Sequence, residues 1–213
     1  MSKIDGKTVA ECFDLVAQIS TEVVSMNDAL ENLFAENLSG KGELPCVLAG
    51  KVEVDDRIAN GDGRLWVYTD SAYSFPMKGT GKGKKKAERY LGFQISMTGE
   101  GINLPDNIEP LLHVFCWDFP VAFNEDYFFG FPWKKDSIDL WDEIIDERLM
   151  RWGPHDGAWN ELDWNYSLRL LKLNSIDALE KYVVTPALQL LKSEKLNGKS
   201  VKKALPDEWL DKT

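Results

Sequence analysis

Near the start of the chain, apolar residues recur at alternating steps of four and three: Cys12, Val16, Ile19, Val23, Met26, Leu30 and Leu33. Such a repeat keeps one narrow apolar seam on one side of a helix, and its extent predicts a helix of roughly 30 residues. Thr8 and Glu11 have the spacing of a capping box, in which the threonine hydroxyl accepts from the Glu11 N–H and the glutamate reaches back. Ser39–Gly40–Lys41–Gly42 ends the helix. The seam predicts packing against another helix of the same domain. A seam this regular also allows pairing between two chains, so a homodimer through this helix is one expected association.

The period then changes to two. "CVLAGKVEV" and "RLWVYTDSAYSF" flank Asn60–Gly61–Asp62–Gly63, which predicts a hairpin. In "YLGFQISM", Leu91, Phe93, Ile95 and Met97 alternate with Tyr90, Gly92, Gln94 and Ser96, so one face of this strand meets the core. "LLHVFCW" is apolar on both faces, as a central strand covered on each side would be. Beyond Pro120 the pattern predicts helices over 138–150, over 158–173 and from Asn174 or Ser175 to about 192, with Pro186 kinking the last. The expected fold is α+β: a long N-terminal helix, an antiparallel sheet of about four or five strands, and a C-terminal helical layer. Residues 1–195 are read as one domain and 196–213 as a lysine-rich tail that Trp209 can dock.

The chain has 213 residues, of which 44% are hydrophobic, enough for a sizeable core. A net charge of −10 opposes whole-surface binding to nucleic acid or to an anionic membrane. Cys12, Cys46 and Cys116 form no metal or disulfide spacing, and the N-terminus has no apolar signal core. These features point to a cytoplasmic chain with neither cofactor nor metal. No membrane association is expected, because no apolar run approaches the ~20 residues that cross a bilayer.

Charge is distributed unevenly. "PMKGTGKGKKKAERY" packs lysines and glycines together. It is not a P-loop, because Gly79 and Gly83 are one residue too close and Lys85 stands where a metal-binding hydroxyl belongs. It reads as a solvated hairpin loop, with phosphate contact through Lys82, Lys84, Lys85 and Lys86 as the functional alternative. No aromatic residue lies among those lysines to stack on a base.

Residues 118–163 carry the opposite charge, with twelve acidic groups against four basic ones. Wound as a helix, Ile138, Trp141, Ile145, Leu149 and Trp152 would share an arc of about 80°, with Asp139, Asp142, Glu143, Asp146 and Glu147 on an adjacent arc of about 140°. With Trp133 and Trp152 at its rim, that acidic face suits a basic protein or a nucleic-acid-handling enzyme, charge steering the encounter and aromatics supplying affinity. The bland reading is a solvated face over a core of rings.

Catalytic signals are sparse. His113 and Cys116 point to opposite faces of their strand and cannot form a nucleophile–base pair. His155 and Asp156, between two tryptophans in "RWGPHDGAW", are the best acid–base candidates, but one histidine is a poor metal signature. The expected function is therefore a non-enzymatic cytosolic binding protein, of inhibitor, immunity or antitoxin type. An enzyme or ligand-binding domain at His155 and Asp156 is the alternative.

Overall fold

The computed structural model describes residues 5–40, 44–58, 68–80, 86–97, 109–123, 128–129, 143–152 and 163–210. Helix α1 runs from Gly6 to Leu38. Its cap is Asp5 rather than Thr8: the Asp5 carboxylate accepts the Thr8 N–H at 2.9 Å and the Thr8 hydroxyl at 3.0 Å. A carboxylate at the positive end of the helix dipole is favoured there, and these bonds hold its pKa below the usual carboxylate range. At the other end Ser39 caps the helix and Gly40 takes φ +85°, a turn that favours glycine.

Strands β1 (Cys46–Leu48), β2 (Glu53–Ile58), β3 (Tyr68–Gly79), β4 (Arg89–Ser96), β5 (Leu111–Trp117), β8 (Glu143–Ile145), β9 (Leu149–Trp152) and β10 (Asp163–Arg169) form one sheet, in the order β1–β3–β4–β5–β10–β9–β8 with β2 also on β3. Every pairing is antiparallel. Short strands β6 (Ala122–Phe123) and β7 (Phe128–Phe129) pair separately. The α+β class stands, and the sheet is larger than the sequence suggested.

The extra strands come from the stretch read as helical. Over 143–152 the chain forms the β8–β9 hairpin, closed by Asp146 and Glu147 at φ 53° and 58°, and residues 138–142 lie outside the described residues. Successive left-handed residues make the turn whose twist matches two paired strands, and they cannot sit in a helix. Within the second expected helix, Asp163–Arg169 form β10, and the core takes Trp164, Tyr166 and Leu168 at period two.

The expected first strand, "CVLAGKVEV", is broken into β1 and β2, which share one edge of β3. The break lies opposite Pro76, whose carbonyl accepts from Ala49 N–H at 2.7 Å but whose nitrogen has no hydrogen to give back. β2 and β3 do pair as a hairpin, with its connection outside the described residues.

Helices cover one face of the sheet. Leu30, Phe34 and Leu38 of α1 are fully buried there, each contributing about 1.5–3 kcal/mol. The Phe34 ring sits 5.4 Å from Phe75 and 6.2 Å from Phe93. Behind them runs a helix in three parts: α2 (Ile176–Leu179), a π turn (Glu180–Val184) and α3 (Thr185–Lys192). Pro186 falls in the first turn of α3, and the wider π turn before it absorbs the hydrogen bond that proline cannot make. Helices α4 (Gly198–Ala204) and α5 (Asp207–Leu210) follow, and Trp209 is buried edge-on to Tyr166 at 5.5 Å. Among the described residues no helix is long and apolar enough to cross a membrane.

Candidate functional site

The feature that sequence periodicity could not place is the unequal burial of α1. From Asp5 to Glu22 every side chain except Val16 is exposed, whereas burial begins at Val23 and is complete at Leu30, Phe34 and Leu38. Val9, Leu15 and Ile19 are 42, 57 and 37% exposed, and Cys12 is exposed beside them. The apolar seam that packs on the sheet thus continues, on the same side of the helix, through about 25 Å of exposed helix. Each exposed apolar residue alone would be ordinary, but a contiguous strip marks an interaction surface.

The acidic segment is arranged differently. Because 143–152 form a hairpin and not a helix, the two arcs of rings and carboxylates do not form there. Asp139, Asp142 and Trp133 lie outside the described residues, Glu143 opens β8 and Trp152 closes β9. Asp146 and Glu147 are exposed at the hairpin turn. The carboxylates described here are mostly engaged. Arg148, buried behind the turn, reaches Asp146 at 3.0 Å, Asp207 at 2.6 Å and the Leu205 carbonyl, so it ties the hairpin to the C-terminal helices. Arg89, also buried, holds Asp118 at 2.7 Å together with Asp163 and the Cys116 carbonyl at 3.1 Å. Arg151 donates to the Leu196 carbonyl at 2.6 Å. These arginines clamp strands to one another and to the helical layer.

The second face of the sheet carries a row of buried polar groups that the sequence did not reveal. Ala72, Gln94, His113 and Ser167 are cross-strand neighbours. Gln94 donates to Asp70 at 2.9 Å and to Ser96 at 2.8 Å, and Ser96 donates to Asp70 at 2.6 Å. The His113 ring nitrogen Nδ1 lies 2.9 Å from the Ser167 hydroxyl. Burial pushes His113 down to about 3, so its ring is neutral at pH 7. A serine beside a neutral imidazole can be a nucleophile and its base, yet both side chains are 0% exposed and no substrate reaches the hydroxyl. Alternation in "DWNYSLR" was the signal for Ser167, and it was hidden by reading that segment as helix. Burial likewise pushes the thiols of Cys46 and Cys116 up to about 12 and about 11, which leaves both unreactive. His113 faces away from Cys116, which lies in the core beneath the helices.

The basic loop joins β3 to β4. Lys86 is exposed at its end, and Lys82, Lys84 and Lys85 lie outside the described residues, as do His155 and Asp156. Among the described residues no cluster of His, Cys, Asp and Glu could hold a metal ion. The chain matches no family model, no curated protein and no solved structure.

Proposed function

We propose that this chain is a non-enzymatic cytosolic binding protein whose working surface is the exposed half of α1. The observation that carries this reading is the strip of Val9, Cys12, Leu15 and Ile19, exposed around a half-buried Val16, ahead of the packed half. An isolated helix of this length is marginal in water. Covering its apolar side would return about 1.5–3 kcal/mol for each large side chain fully buried. Three free thiols, two of them buried, fit a reducing compartment.

The basic partner suggested by the charge of 118–163 has weaker support. Asp118, Asp146 and Asp163 are held by Arg89 and Arg148, which leaves Glu147 to carry the described part of that field. For that reason the docking surface is placed on α1.

Amide hydrogen exchange over residues 6–22 tests the proposal. In dilute free protein these amides should exchange within seconds to minutes while those of 27–38 stay protected, and engagement of a partner should slow the first set selectively. Equal protection of both halves in the free chain would contradict it.

A further inference from the structure

We infer that the occupant of this surface is the same helix of a second copy; the inference rests on the binding role proposed for α1 and names its partner. Within the exposed seam, Val9 and Val16 repeat at seven residues and Cys12 and Ile19 repeat at seven in the companion position, and Val23 and Met26 carry both series on into the part packed against the chain's own core. This is the heptad pattern of helices that pair with their like, with β-branched residues in the set that favours two strands. At 100° per residue, Val9, Cys12, Val16, Ile19 and Val23 span an arc of about 80°, and Lys7, Glu11 and Asp14 lie together on the opposite side.

Charge selects the partner. The positions flanking the exposed seam are Thr8, Phe13, Leu15, Ser20 and Glu22, and only Glu22 is charged. A basic helix would find a single acid there, Glu22, to recognise, and a second copy would meet no more than that one like charge beside the seam. Because each chain carries −10, two copies repel at a distance and can associate only through an uncharged contact. A two-fold pairing makes the same strip serve both chains, so it also closes the assembly. Covering five to seven such side chains on each helix removes roughly 1,000 Å² from water, about where specific interfaces begin. Dissociation is therefore expected at concentrations on the order of 1–100 µM.

Salt separates this partner from a basic one. Screening weakens the repulsion between two acidic chains, so self-association should tighten as salt is added, whereas docking to a basic macromolecule would loosen. Sedimentation equilibrium of the full chain over that concentration range should show the mass rising toward twice the monomer, at lower protein concentration in higher salt. Val16→Asp with Ile19→Asp should keep the chain monomeric with an unchanged thermal unfolding curve, since both residues precede the packed half. Asp14→Ala, on the opposite side, should dimerise as the parent does.

A parent that stays monomeric throughout, a dimer untouched by the double substitution, or a dimer that salt dissolves would each overturn the inference. Hydrogen exchange distinguishes this failure from that of the binding role. Protection of residues 9–22 that rises with the chain's own concentration supports self-pairing. Protection gained only when another protein is added removes self-pairing and leaves α1 as a docking surface. No protection in either case removes both.

Discussion

Gly92 sits in β4 directly beneath the ring of Phe115 on the neighbouring strand. A Cβ there would lie 2.4 Å from Phe115 Cζ and 2.4 Å from the Tyr73 carbonyl oxygen. The ring could swing aside, but the carbonyl belongs to the paired strand β3 and cannot move without parting the ladder. Gly92→Ala should therefore destabilise the fold by about 3 kcal/mol or more, read as a lower midpoint of urea unfolding with the slope unchanged. A midpoint within error of the parent would contradict the packing of Phe115 over β4. The alternation of Tyr90, Gly92, Gln94 and Ser96 marked one side of the strand in the sequence, but a glycine in that series gave no sign that a ring on another strand would fill its place. The same limit applies to His113 and Ser167, which lie 54 positions apart and meet only because β5 and β10 are neighbours.

At the scale of elements, the β8–β9 hairpin is the instructive case. Ile138, Trp141, Ile145, Leu149 and Trp152 fit a helical stripe, yet Ile144 points outward, Ile145 is buried, and the chain reverses at Asp146 and Glu147. Helical periodicity failed here because a short hairpin with apolar residues on either side of its turn yields a similar spacing. What favours the hairpin is remote: Arg148 reaches Leu205 and Asp207, and Arg151 reaches Leu196. The turn nonetheless holds two side chains in a left-handed backbone, at about 1–2 kcal/mol each. Glu147→Gly should relieve one of these and raise stability by about 1 kcal/mol in equilibrium unfolding, leaving the bonds of Arg148 intact. A loss of stability would mean that the glutamate itself contributes to the turn. Helix α1 shows the opposite lesson: its length and seam were readable because a long repeat averages over local exceptions. Its cap is Asp5 rather than Thr8 because the Asp5 carboxylate accepts both the Thr8 N–H and the Thr8 hydroxyl, which places Thr8 inside the first turn.

At the scale of the whole molecule, the C-terminal helices complete the core that the packed half of α1 and the sheet begin. Trp209 is 0% exposed against Tyr166, whose hydroxyl donates to the Val183 carbonyl at 2.8 Å, so α5, β10 and the π turn share one packed cluster. Trp209→Ala should cost about 3–5 kcal/mol and lower the unfolding midpoint of the entire chain, not merely fray its end. Loss of C-terminal helicity with the sheet's transition unchanged would show that α4 and α5 are an independent appendage. The sequence by itself determined the long helix, the strands β3, β4 and β5, the α+β class and the uneven spread of charge. Each of these follows from the nearest neighbours along the chain, through the period of apolar residues and the turn chemistry between them. Only the tertiary structure decided that 143–152 and 163–169 join the sheet, that carboxylates at 118, 146 and 163 are taken by arginines, and that α1 is packed along one half and exposed along the other. Those outcomes depend on which distant surfaces meet, and an apolar seam looks the same in sequence whether a sheet covers it or water does.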